Sequence, residues 1–219
     1  PGNIMLIGNS GTGKTTIMNN IQRMYHQVGE YRPFLAMTII NANLLVEAER
    51  LEIQPARLLT ALEQRALALV GEKPGAAELK ETMERASFCI DEIDKMSSIV
   101  AGKPNGFGVV LQQGLLNLME GEVVAQRTHV WEDGVEKEIV LPIDTRHMMF
   151  ICGGAFEGLY DQVYLRVVRP GSGEKLKSQA IQTADGQVRI ETRFELSDFL
   201  KPEDLFEYGM VPQFMARFD

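Results

Sequence analysis

Asn3-Ile4-Met5-Leu6-Ile7-Gly8-Asn9-Ser10-Gly11-Thr12-Gly13-Lys14-Thr15-Thr16 decides how this chain folds. A short apolar run of strand length ends in a segment punctuated by Gly8, Gly11 and Gly13. Beyond it Ile17, Met18, Ile21, Met24 and Tyr25 recur at helical spacing. The stretch therefore predicts a strand over 3–7, a glycine loop, and a helix over 15–28. A strand that feeds a helix through a tight loop opens a unit whose next strand lies parallel to the first.

Working outward, Phe34 to Ile40 reads as a second buried strand. Pro55 to Val70 reads as a helix with proline in its first turn and Gly71 at its stop. A turn at Lys73 to Gly75 precedes a helix over Ala76 to Ala86 and a third strand over Ser87 to Ile90. Glycines and proline mark Lys103 to Gly108 as a loop, and Val109 to Met119 carries the apolar pattern of a helix ending near Gly121. Asp133-Gly134 is a strong two-residue turn signal, which predicts a β-hairpin over 122–142. Met148 to Cys152 completes the set as a fourth buried strand. Residues 163–197, with turns at Gly171-Ser172-Gly173 and Asp185-Gly186, read as an insertion rather than a second domain. Strands alternating with helices predict an α/β chain with a central parallel sheet flanked by helices, one domain over 1–219.

A chain of 219 residues with 45% hydrophobic content can bury one sizeable core. With 22 basic and 30 acidic residues its net charge is -8, which argues against a nucleic-acid-coating surface. Cys89 and Cys152 each sit inside an apolar run and read as buried thiols in a reducing compartment. No apolar stretch approaches the ~20 residues of a membrane span, and no signal-like start is present, so a cytoplasmic protein is expected. Pro1 directly before a strand and a stop at Asp219 suggest a piece of something longer. His26 and His147 have no metal-ligand partner at useful spacing.

Chemistry enters with Gly8 to Thr15, which matches the eight-position P-loop pattern. Glycines let successive backbone N–H groups face phosphate oxygens, and the helix start adds positive potential. Gly8, Asn9, Ser10, Gly11, Thr12, Gly13, Lys14, Thr15 and Thr16 are the candidate nucleotide contacts. Lys14 is placed to reach the β and γ phosphates of ATP, and the Thr15 hydroxyl to ligate Mg2+. A chance glycine turn is the bland alternative; its place between strand and helix counts against it. Phe88-Cys89-Ile90-Asp91-Glu92 supplies a buried strand whose carboxyl end presents two carboxylates. Alone that is a solvated strand end; with the loop, Asp91 becomes a candidate magnesium ligand and Glu92 the group that polarises the attacking water.

Ile90-Asp91-Glu92-Ile93-Asp94-Lys95 resembles the signature of the ClpX and HslU branch of AAA+ proteins. Three further stretches resemble that branch in order and spacing: Gln112 to Gly121, Phe150 to Phe156, and Pro202 to Arg217. The resemblance implies a three-layer P-loop NTPase fold, without the small helical domain that follows in the family. It also implies that Arg217 is a finger reaching the γ phosphate of a neighbouring subunit, and so a homohexamer acting on protein substrates. Gly153-Gly154 stands where many AAA+ proteins have a polar sensor, as in ClpX-like proteins, so no sensor residue is assigned. At the position of the aromatic pore loop the chain reads Glu49-Arg50-Leu51-Glu52. Gly171-Ser172-Gly173 is followed by Glu174-Lys175-Leu176 and not by the tripeptide that docks a peptidase, which counts against a peptidase partner. Arg127-Thr128-His129 is similar to a pore-entrance loop, with an exposed hairpin as the plainer reading. The expected function is an ATP-hydrolysing ring motor. A nucleotide-dependent assembly or adaptor ATPase is the alternative that the missing aromatic favours.

Overall fold

Apolar side chains run almost unbroken along the inner strands, so both faces of one parallel sheet demand cover. The computed structural model describes residues 2–34, 36–42, 55–182 and 187–218. β1 (Ile4–Ile7) leads to α1 (Lys14–Gln27), a 3-10 segment over Gly29–Phe34, and β2 (Met37–Asn41). Next come α2 (Pro55–Val70), α3 (Ala76–Glu84), β3 (Ser87–Asp91) and a 3-10 turn over Ile93–Met96. A small antiparallel pair, β4 (Ile99–Val100) with β5 (Lys103–Pro104), precedes α4 (Gly106–Glu120). β6 (Val123–Glu132), β7 (Val135–Asp144), β8 (Met149–Gly154) and α5 (Leu159–Val168) follow. The remaining elements are β9 (Lys177–Gln182), β10 (Val188–Arg193), α6 (Leu196–Phe199), α7 (Pro202–Tyr208) and α8 (Pro212–Met215).

The central sheet has the order β1-β8-β3-β2, every pair parallel. Met18 of α1 packs with Met37, Cys89 and Ile151 on one face. Phe88, Ile90, Phe150 and Cys152 point to the other face, into the larger core filled from α2, α3, α4 and α5. Phe88 and Phe150 are paired in register and their rings stack at 5.6 Å. Each such buried ring contributes about 2 kcal/mol from area alone. The result is helix, sheet, helix: the three-layer α/β arrangement the strand pattern predicts.

Differences from the sequence reading have local causes. β2 begins at Met37 rather than Phe34, because Gly29–Phe34 is wound as 3-10 helix. α4 begins at Gly106, inside the expected loop. Gly108 is there for packing: a Cβ on it would press into the Ser97 and Met96 carbonyl oxygens. β8 runs on through Gly153 and Gly154. β4 and β5 went unpredicted because two-residue strands carry no periodicity. α5 extends through Val168, so the first residues of the 163–197 span are helical. Glu49 to Glu52 and the Asp185-Gly186 turn lie outside the described residues.

Asp133 and Gly134, both at positive φ (54° and 78°), join β6 to β7. This hairpin lies on α2 and α3: Trp131 N–H donates to Pro74 O (2.9 Å), Gln126 to Glu63 (2.6 Å), and Lys73 sits over the indole. Arg127, Thr128 and His129 are therefore strand residues, paired with Val140, Ile139 and Glu138. At the other edge of the sheet, Asn3 and Phe218 form a parallel bridge beside β1. Asn3 Nδ2 donates to Arg217 O (2.9 Å) and Asn3 Oδ1 accepts from Phe150 N–H (3.0 Å). None of the described helices is long and apolar enough to cross a membrane.

Candidate active site

The loop after β1 takes its shape from backbone freedom. Gly11 and Gly13 have φ of 79° and 90°, a region costly for any side chain. A Cβ on Gly8 would stand 3.0 Å from Thr12 Oγ1, which donates to Asn9 O at 2.8 Å. No side chain caps the start of α1, so its first N–H groups face outward, as an anion requires. Lys14 Nζ donates to Gly8 O (2.5 Å) and Asn9 O (2.9 Å), which holds the ammonium against the loop.

Asp91, the last residue of β3, meets this loop directly. Thr15 Oγ1 donates to Asp91 Oδ2 at 2.6 Å, and Glu92 N–H donates to Asp91 Oδ1 at 2.9 Å. β8 lies between β1 and β3, so these groups meet across it. The element that lets them do so is Gly153: a Cβ there would sit 3.5 Å from Asp91 Oδ1 and 3.9 Å from Lys14 Cβ. Gly154 is more crowded, its Cβ position 2.6 Å from the Phe156 ring and 2.8 Å from Asp94 Oδ1. This is why no polar side chain stands at the end of β8. Glu92 itself is left-handed, φ 60° and ψ 37°, a conformation that non-glycine residues hold at a cost of about 1–2 kcal/mol.

Ser10, Gly11, Gly13, Lys14, Thr15 and Thr16 form one wall of a cleft of about 370 Å³, and Asp91 and Glu92 form another. Gly8, Asn9 and Thr12 shape the loop behind it. Asp94, Lys95, Ala155 and Glu157 also line the cleft, and sequence reasoning gave them no role. Asp94 is buried and its Oδ1 accepts from Ala155 N–H at 3.1 Å, which fixes the turn after β8. In sequence Asp94 is one of two charges, with Lys95, between the apolar Ile93 and Met96, and only the fold shows which of the two is buried. Burial, then the charges of Asp94 and Glu157, pushes the Tyr208 hydroxyl up to about 12. Arg217 stands apart from the cleft, paired with Glu120 at the end of α4.

A hydroxyl and a carboxylate in contact offer hard oxygen donors of the kind Mg2+ takes, and the glycine loop offers amides of the kind phosphates take. The residues present thus fit a magnesium nucleotide.

Comparison with known proteins agrees with this geometry. The family model described as AAA domain (Cdc48 subfamily) matches residues 1–219. The chain is 30% identical over 221 residues to the ATP-dependent Clp protease ATP-binding subunit ClpX of Porphyromonas gingivalis, covering 98% of this chain and 46% of that protein. Its namesakes in Bacteroides thetaiotaomicron (30% over 224 residues) and Bacteroides fragilis (31% over 223) are matched over the same shares. The chain thus spans about half the length of the curated relatives it matches. Family match, identity along the whole chain, and a glycine loop bonded to an acidic strand end together make this chain a member of the AAA domain family, a P-loop ATPase of the ClpX type.

Proposed function

We propose that this chain is the ATP-hydrolysing core of a ring motor that unfolds or remodels protein substrates. The observation that supports the reading is the 2.6 Å contact from Thr15 to Asp91, with Glu92 lining the same cleft as the glycine loop. Loop amides and the α1 start bind the phosphates, and Lys14 neutralises charge on the β and γ groups. Thr15 and Asp91 would hold Mg2+, which when bound neutralises charge on the same phosphates. Glu92 takes a proton from the attacking water as it approaches the γ phosphorus. Arg217 lies outside its own cleft, which supports its action on a neighbour's nucleotide and so a homohexameric ring.

Two substitutions test the site. Glu92→Gln should keep ATP binding while turnover falls about 100-fold or more. Lys14→Ala should weaken nucleotide binding at least about tenfold. Rapid turnover by the first or undiminished affinity in the second contradicts the assignment. The absence of an aromatic from Glu49-Arg50-Leu51-Glu52 favours a second reading, an assembly or adaptor ATPase that threads nothing. A tagged unstructured protein separates the two. ATP-dependent unfolding of a fused reporter supports the motor, whereas nucleotide-dependent assembly without reporter loss supports the adaptor.

A further inference from the structure

Gln112 is a fully buried amide on the core face of α4, among Leu111, Leu115 and Leu116. Its Nε2 donates to Met96 O at 2.7 Å and to Gly209 O at 3.1 Å, and its Oε1 accepts from Val211 N–H at 2.7 Å. Both donors and the acceptor are thus spent on backbone, where an unpaired group costs most. Met96 closes the 3-10 turn that starts directly after Glu92. Gly209 and Val211 link α7 to α8, and α8 ends two residues before Arg217.

Ser97 reinforces the same bridge. Its hydroxyl donates to Tyr208 O (2.8 Å), and Ser98 N–H donates to Gly209 O (2.8 Å). Gly209, at φ 111°, has Ser98 N 3.0 Å from where a Cβ would be. The two segments are in backbone contact, and a buried amide fixes their register.

We propose that Gln112 is a positioning residue for hydrolysis. It ties the segment carrying a subunit's own acidic pair to the strap carrying the arginine that the subunit offers its neighbour. A shift of Glu92 with nucleotide state is then passed through Met96 and Gln112 to Val211 and α8. This rests on Arg217 acting in trans. No substitution of Arg217 or Glu92 alone would reveal it, because Gln112 touches neither.

Mixed assemblies of the full protein separate the two ideas. Subunits carrying Glu92→Gln cannot hydrolyse but keep their arginine; subunits carrying Arg217→Ala keep their own site but offer none. Mixing them should restore turnover, and failure to do so overturns the trans role of Arg217 and the proposal with it. Gln112→Met is then added to the Glu92→Gln subunit alone, which only donates. The restored kcat should fall about tenfold with KM for ATP unchanged. Nucleotide stoichiometry of the donor subunit must stay at its value before the change, which a general loss of folding would lower. If Gln112→Met lowers it, Gln112→Asn is judged by the same criterion, since it stays neutral but is one methylene too short to hold both segments; a loss with both variants means that Gln112 serves folding and overturns its positioning role. Restored turnover within about twofold of the unmodified pair overturns the role of Gln112 alone.

Discussion

At the scale of single residues, the site depends on what β8 lacks. Gly153 and Gly154 look interchangeable in sequence, yet their surroundings assign them different penalties. A Cβ on Gly153 meets Met18 Cε at 2.8 Å, the free end of a flexible side chain that can turn aside. The same Cβ stands beside Asp91 and Lys14, so its effect falls on the chemistry. A Cβ on Gly154 meets the Phe156 ring, which is buried and packed at a tilt against Tyr208 with ring centroids 5.3 Å apart, and the fixed carboxylate of Asp94. Neither neighbour can yield. Gly154→Ala should therefore cost about 1–3 kcal/mol of stability, as overpacking does. Gly153→Ala should cost under about 1 kcal/mol while slowing ATP turnover several-fold. Urea unfolding and steady-state turnover on both variants check the split, and equal stability losses would contradict it.

At the scale of elements, stability sits in the clasp beneath β9 and β10 and not in the ribbon they form. β9 and β10 pair over six residues each with every residue exposed, Val188 and Ile190 included. Below them Arg166 donates to both oxygens of Asp204 (2.7 and 2.9 Å), to both oxygens of Glu174, and to Phe199 O. Asp204 is 2% exposed and keeps only Lys201 N–H if Arg166 goes. Arg166→Ala should cost about 2 kcal/mol, below the usual loss for a broken buried pair because the arginine is partly solvated. Replacing 178–192 by Asn-Gly, which closes the Lys177 and Arg193 pair as a two-residue turn, should change stability by under about 0.5 kcal/mol. Thermal unfolding of both checks the order, and a costlier ribbon deletion would refute it. Sequence pattern made the ribbon visible through its glycine turns and left the clasp invisible. Arg166, Glu174 and Asp204 are ordinary surface charges until the fold brings them together. The same holds for the cleft: Gly8 to Thr15 and the acidic pair announce themselves by spacing, whereas Asp94, Ala155 and Glu157 join only through the turn after β8. Gln112 had a faint signal, a polar residue on an otherwise apolar helix stripe.

At the scale of the whole molecule, the two cysteines report on cooperative opening. Cys89 and Cys152 lie on adjacent central strands, β3 and β8, on opposite faces of the sheet, and neither is exposed. Burial, with Asp91 as a lesser cause, pushes the Cys89 thiol from 9.0 up to about 12; burial, with Cys89 as a lesser cause, pushes the Cys152 thiol higher still. A raised thiol pKa favours the protonated form in the native state. Below the unfolded value near 9.0 both states keep their protons and stability is unaffected by pH. Above it the unfolded chain loses protons that the native chain retains, so stability falls, by about 1.4 kcal/mol per pH unit for each thiol, until the native pKa is passed. Tyr208 acts with the same sign from 10.0 to about 12. A Cys89→Ala, Cys152→Ala double variant keeps Tyr208 and removes only the thiol contribution. Between pH 8 and pH 10 the wild-type chain should lose about 2–3 kcal/mol more than the double variant in urea unfolding. Parallel pH dependences for the two proteins would mean that the thiols ionise as readily in the sheet as in the unfolded chain, and that the sheet's centre is open to water.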